Sequence, residues 1–334
     1  MEHAPFSNQG LEPERLEKEE GLWVQKREQV EDFLKNEIDF TAIGDIIGEM
    51  YFKSRPDAPE RGQDDLRKYR FSNIYDPKYE VQYVYSDNGK AVTAQAKKGR
   101  IHFSARSFFE NNELNRALLL HVTIHELCHL ASLTVSFDSK TERTQLSGVS
   151  SVTYNVQALR EDTVEGKDKE LEVLFSGLNE GITEFVSDAV YSEYLARTGK
   201  VLETVYQKGF VTNEVHGLIE TPVTYYDERI AAYELIEKIS QESELPMETV
   251  TEGFVQAYLR NERLDSEDLL SFFDEDSKAV LFLNKLKGND IAKHEHDKQR
   301  FLVDILPNTE RIFVKALFGR DVVGTYNKNI IESL

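Results

Sequence analysis

At 334 residues, 40% hydrophobic and 30% charged, the chain suits one large domain or two to three small ones, and its composition excludes a disordered or fibrous protein. Its formal net charge of −20 repels phosphate backbones and so excludes nucleic acid as a partner. A lone cysteine, Cys128, excludes an intramolecular disulfide; with no basic-then-apolar leader and no run of the ~18 apolar residues that a bilayer span needs, the expectation is a cytoplasmic protein with no membrane association.

Residues 1–39 carry eleven acids and five bases, with Trp23, Val30, Phe33, Leu34 and Ile38 at helical spacing. That predicts an amphipathic helix with a charged outer face. Phe40, Ile43, Ile46, Ile47, Met50 and Tyr51 predict a second helix, ended by a loop containing Pro56, Pro59 and Gly62. Together these form an N-terminal helical segment, 1–65. Asp87-Asn88-Gly89, between Val81–Tyr85 and Ala91–Gln95, predicts a hairpin, and Gly99–Phe103 a further short strand, giving a small antiparallel sheet. Asn111 is the expected cap of a long helix through Leu114–Leu133. Residues 134–176 read as an inserted loop in which Val152–Val156 pairs with Glu170–Phe175 around Glu165-Gly166-Lys167. A second long helix runs from Gly177 to a C-cap at Gly199, closing a core that spans 66–200. Residues 201–334 form a helical subdomain, with helix starts at Pro246-Met247-Glu248 and Asp265-Ser266-Glu267. The fold class is α+β: a small antiparallel sheet over a central helix, with a mostly helical C-terminal half.

That central helix contains His125-Glu126-Leu127-Cys128-His129, an H-E-x-x-H pattern. Positions i and i+4 share a helical face, so both imidazoles can point at one metal ion. Glu126 projects beside that ion, where it can take a proton from a bound water as general base. Zinc lowers the pKa of such a water towards ~7. A catalytic zinc wants three protein ligands and an open position. A histidine of an extended motif would fall at 133 or 135, but Leu133 and Val135 stand there, and the only cysteine lies inside the motif. A carboxylate on another helix remains. Leu178-Asn179-Glu180-Gly181-Ile182-Thr183-Glu184 supplies two acids at i and i+4, on a face shared with apolar residues. Glu180 is assigned as the third ligand. Glu184 is assigned as the acceptor of a ligating histidine's other N–H, which fixes ring tautomer and orientation.

H-E-x-x-H followed by N-E-G-x-T-E resembles the gluzincin peptidases. Thermolysin-like enzymes carry N-E-x-x-S-D here, and zinc aminopeptidases carry L-N-E-G-F. The resemblance covers roughly residues 99–199, through these two motifs alone. It implies a zincin-like catalytic core with one Zn²⁺, the third ligand at Glu180, a supporting acid at Glu184, and peptide or protein substrates. This chain departs in its longer gap between His129 and Glu180, and in lacking the aminopeptidase G-x-M-E-N motif. The competing reading is a catalytically inactive protein of the same fold that binds a peptide or protein partner.

Peptide hydrolysis also builds an oxyanion that needs a donor. Tyr225, Tyr226, Arg229 and His216 lie in the right part of the chain for it, and none is singled out. His121 is expected to be a core or cleft-wall histidine, Cys128 a small core residue, Trp23 an anchor for the N-terminal helix, and His294-Glu295-His296 a solvated run. Residues 1–40 are also considered as a segment that covers the cleft.

Overall fold

A computed structural model describes residues 13–53, 72–87, 90–97, 99–110, 112–136, 142–155, 170–174, 176–200, 226–260 and 306–318 of the chain. Helix α1 (Pro13–Asp32) runs through a π-helical turn (Phe33–Glu37) to α2 (Phe40–Lys53). Val30, Phe33, Leu34, Ile43, Ile46, Ile47, Met50 and Tyr51, grouped by their spacing, are all buried. Asp39 caps α2 by accepting the Ala42 N–H at 3.0 Å. The single turn α3 (Ser72–Tyr75) packs on α2.

Five short strands follow: β1 (Lys78–Gln82), β2 (Tyr85–Asp87), β3 (Lys90–Val92), β4 (Ala94–Lys97) and β5 (Arg100–Ser104). The sheet has the order β1-β5-β4 and is mixed, which corrects the antiparallel expectation. β4 runs antiparallel to β5, with Gln95 opposite His102, but β1 runs parallel to it, with Val81 opposite Phe103. The chain between β1 and β5 is taken up by the β2–β3 hairpin and β4, so β5 joins β1 by a crossover and not by a tight turn. The expected hairpin forms with short arms, Asp87 opposite Lys90. Val81 and Gln95, expected in those arms, belong to the three-stranded sheet instead.

The central helix is α4 (Arg116–Ser132). Its cap is Asn115, whose Oδ1 accepts the Leu118 N–H at 3.0 Å, and not Asn111. Before it, β6 (Phe109–Glu110) and β7 (Glu113–Leu114) pair antiparallel across Asn112, which adopts a φ of 68°. The chain therefore reverses where the helix was expected to begin. After α4, the segment expected as a loop with one hairpin is a four-stranded antiparallel sheet of order β11-β10-β9-β8: β8 (Leu133–Ser136), β9 (Glu142–Ser147), β10 (Ser150–Asn155) and β11 (Glu170–Leu174). The pairing of β10 with β11 matches the expected one, Val152 opposite Val173, while its turn at 165–167 lies outside the described residues. Glu142–Ser147 reads ERTQLS, too polar to show a strand's alternation.

The second long helix, α5 (Ser176–Thr198), ends at Gly199, with a φ of 63° and its N–H on the Leu195 carbonyl at 2.9 Å. It is the hub of the molecule: α2, α4, α6 (Tyr226–Ser243), α7 (Met247–Arg260) and α8 (Leu306–Phe318) all pack on it. Every residue from Gly181 to Tyr191 is buried. α7 starts at the expected Met247, and Asp265 lies outside the described residues. α4 lies between β4 and α5, so the fold is α+β with its sheet against the motif helix. One hydrophobic cluster runs from Val30 to Phe318 and includes α1, α2 and the C-terminal helices. No described helix is long and apolar enough to cross a membrane.

Candidate metal centre

α4 and α5 lie side by side and present their polar residues to each other as a ladder. His121, His125 and His129 recur every four residues along α4, and Glu180, Glu184 and Asp188 do so along α5. The rungs pair in antiparallel order: His129 with Glu180, His125 with Glu184, His121 with Asp188. The i, i+4 geometry of each helix makes this possible.

The outer rung is open on one side, with the His129 side chain 15% and the Glu180 side chain 30% exposed. Here three donor atoms form a triangle. His125 Nε2 lies 2.9 Å from His129 Nε2 and 3.2 Å from Glu180 Oε2, and His129 Nε2 lies 3.1 Å from that same oxygen. Tetrahedral zinc at ordinary bond lengths spaces such donors about 3.3 Å apart, so the triangle has the size of a ligand set. The middle rung fixes its chemistry. Glu184 Oε1 lies 2.8 Å from His125 Nδ1, and an ionised carboxylate only accepts, so in the neutral ring the hydrogen belongs on Nδ1 and Nε2 is the nitrogen left with a lone pair for the triangle.

The charges agree with this. The ladder holds three carboxylates, Glu180, Glu184 and Asp188, and one guanidinium, that of Arg229, which pairs with the last two, so it is two positive charges short when its imidazoles are neutral. Burial opposes ionisation of Glu180, but His129 and His125 outweigh it and hold its carboxyl well below the ordinary range. Burial likewise opposes charge on Glu184, and Arg229, His125 and His121 overcome it. For His125, burial disfavours the imidazolium, yet Glu184 and Glu180 raise its proton affinity well above the usual value. Negative potential at a cluster of neutral lone pairs is what a dication satisfies.

Glu126 stands beside the triangle, 4% exposed, with Oε2 accepting the Ala96 N–H of β4 at 2.5 Å. Burial raises its pKa above the ordinary carboxylate value, against the opposing pull of His125 and His129. Among the described residues β4 is the edge strand of its sheet, and its Ala96 N–H is taken by Glu126, so the strand edge runs past the site. The β9–β10 turn, Gly148-Val149, meets Asn179, the neighbour of Glu180. Asn179 Oδ1 accepts the Val149 N–H at 3.0 Å, and Gly148 has a φ of 56° where a Cβ would meet Asn179 and the Tyr258 ring. The segment between the two motifs is thus tied to the residue next to Glu180.

All five residues expected at the site, His125, Glu126, His129, Glu180 and Glu184, come together. Arg229, one of the four candidates for an oxyanion donor, is fully buried on Glu184 and Asp188, with its guanidinium turned to those acids. Tyr225 and His216 lie outside the described residues, as does the side chain of Tyr226. Cys128 is buried in the core beside Ser187, its thiol pushed up to about 12 by that burial. Trp23 packs edge-on against Tyr83 with ring centroids 5.2 Å apart. α1 lies along β1 and the 3-10 turn Ala105–Phe108, at the sheet edge away from β4, so its described part does not cover the site. His294-Glu295-His296 lies outside the described residues. The inner rung was missed in the sequence, although the four-residue repeat that marks it is plain there in both helices.

Comparisons with family models, with curated proteins and with solved structures found no match to this chain.

Proposed function

We propose that this protein is a zinc-dependent peptidase of the gluzincin type, with a zincin-like core. The observation that carries the reading is the triangle of His125 Nε2, His129 Nε2 and Glu180 Oε2, together with the contact of His125 Nδ1 with Glu184 that turns the lone pair inward. When bound by these three residues, zinc supplies Lewis acidity, both to water and to a polarised carbonyl.

The chain's own residues do the rest. Glu126 takes a proton from the attacking water as oxygen adds to the peptide carbon, then gives it to the nitrogen as the C–N bond breaks. Its raised proton affinity brings it closer to the pH at which both transfers run. β4 offers the backbone edge along which an extended peptide can lie. The substrate is accordingly a peptide or protein, and the proposed location is cytoplasmic.

A second reading, a silent protein of the same fold that binds a peptide, draws on one observation. The Ala96–Glu126 hydrogen bond can tie helix to sheet without any chemistry. One experiment separates the two: metal analysis and a proteome-wide cleavage-site profile of wild type against Glu126→Gln. The expected result is one zinc per chain in both proteins and cleavage lost by a factor of about 10²–10⁴ or more in the variant. Cleavage that survives in Glu126→Gln would sink the assignment of the base. Zinc without cleavage in wild type would favour the silent protein.

A further inference from the structure

We infer that Arg229 is a positioning residue for the metal centre: it stands where a second cation would stand on the ladder and holds Glu184 Oε1 against His125 Nδ1. The inference rests on the proposed metal site and goes one layer further out.

The inner part of the ladder has the makings of a second metal site. A nitrogen of His121 and oxygens of Glu184 and Asp188 lie within 4.8 Å of one another, and all three residues are buried. The guanidinium fills that role. Arg229 Nη1 donates to Asp188 Oδ2, and Nη2 donates to Glu184 Oε2 and, at 3.1 Å, to Asp188 Oδ1. Asp188 Oδ1 in turn lies 2.8 Å from His121 Nε2. A planar fork suits this task, because it engages two carboxylates one helical turn apart at fixed angles; a lysine ammonium is a point charge and holds neither in plane.

Glu184 divides its two oxygens accordingly. Oε2 takes the Arg229 hydrogen and Oε1 faces His125 Nδ1. With Oε2 fixed, rotation of the carboxylate away from His125 breaks a buried, charged hydrogen bond. Without Arg229, Glu184 and Asp188 are two like charges on adjacent turns in a dry site, and either can claim His121 or His125. The ring orientation at His125 then loses its support.

The backbone provides for the reach. At Gly181, one turn before Glu184, a Cβ would overlap the Glu228 carbonyl of α6. The missing side chain lets α6 approach α5 closely enough for the next residue, Arg229, to lie across both acids. Arg229 is fully buried and also lies over the Phe185 ring at 5.8 Å, so its position is set by packing as well as by charge.

The test measures zinc affinity of the full chain by chelator competition, with the visible spectrum of the cobalt-substituted protein as a report on ligand geometry. The variants are R229M and R229K, with L235A as a control: Leu235 is a buried apolar residue on the same helix. R229M is expected to bind zinc about 10–100-fold more weakly and to alter the cobalt spectrum, with R229K falling between it and wild type. L235A is expected to lose thermal stability and keep wild-type zinc affinity. If R229M does not fold, R229K carries the test, with a several-fold loss expected. Wild-type zinc affinity in the Arg229 variants, or an equal loss in L235A, would overturn the inference. A wild-type protein that binds no zinc would instead overturn the metal-site reading beneath it.

Discussion

His125 uses both of its ring nitrogens, one towards Glu184 and one towards the donor triangle. The two contacts make different demands, and single substitutions separate them. Glu184→Gln keeps the shape, but its amide can present a donor to His125 Nδ1, so the imidazole is free to take the other tautomer and turn a hydrogen towards the triangle. Zinc affinity should fall about 10–100-fold with the fold intact, as read by chelator competition and circular dichroism. Cys128 offers a contrast within the same motif. It is one residue from His129, yet its side chain is 1% exposed and its thiol is pushed up to about 12. At pH 8 the thiol is held in its un-ionised form and out of reach. A thiol reagent should label no cysteine in the native protein and one per chain in denaturant; rapid native labelling would show that α4 opens far more readily than its packing implies.

At the scale of elements, what was legible in the sequence depended on whether the signal was local. Periodicity marked α4, α5 and α7, because a helix writes its buried face every three to four residues. Gly199 marked the end of α5 for the same local reason. The clustering of the candidate residues was legible too, since His125 with His129 and Glu180 with Glu184 each satisfy a spacing inside one helix. Three things were not. The parallel pairing of β1 with β5 is a long-range choice that no short segment encodes. β9, ERTQLS, is too polar to announce itself, and β8 follows α4 with no intervening turn residue. Arg229 meets Glu184 across 45 residues, and only the packing of α6 on α5 shows it. That packing rests on Gly181. Gly181→Ala should drive α6 off α5 and cost about 1–3 kcal/mol, read as a lower urea midpoint with an unchanged slope. Unlike most helical glycine-to-alanine changes, it should not stabilise, because the backbone carbonyl of Glu228 stands in the way.

For the molecule as a whole, the decisive fact is that both helices carrying the proposed ligands are also core helices. Among the described residues α5 touches five other helices, and the hydrophobic cluster that includes it extends from Val30 to Phe318. The ladder is therefore embedded in the principal folding unit and is not a detachable loop. Without a cation, that core holds acids and imidazoles whose charges are imperfectly matched, a costly arrangement in a dry interior. Zinc binding should then stabilise global unfolding and not merely order a local segment, by RT ln(1 + [Zn]/Kd), or about 2.7 kcal/mol at free zinc 100-fold above Kd. Chelation should lower the melting temperature by several degrees in one cooperative transition, and added zinc should restore it. Glu126→Gln should show the same shift as wild type, because Glu126 is not a donor of the triangle. His129→Ala should show almost none, because it has lost a corner. A wild-type melting temperature indifferent to chelator and zinc alike would mean that the triangle holds no metal, whatever its dimensions.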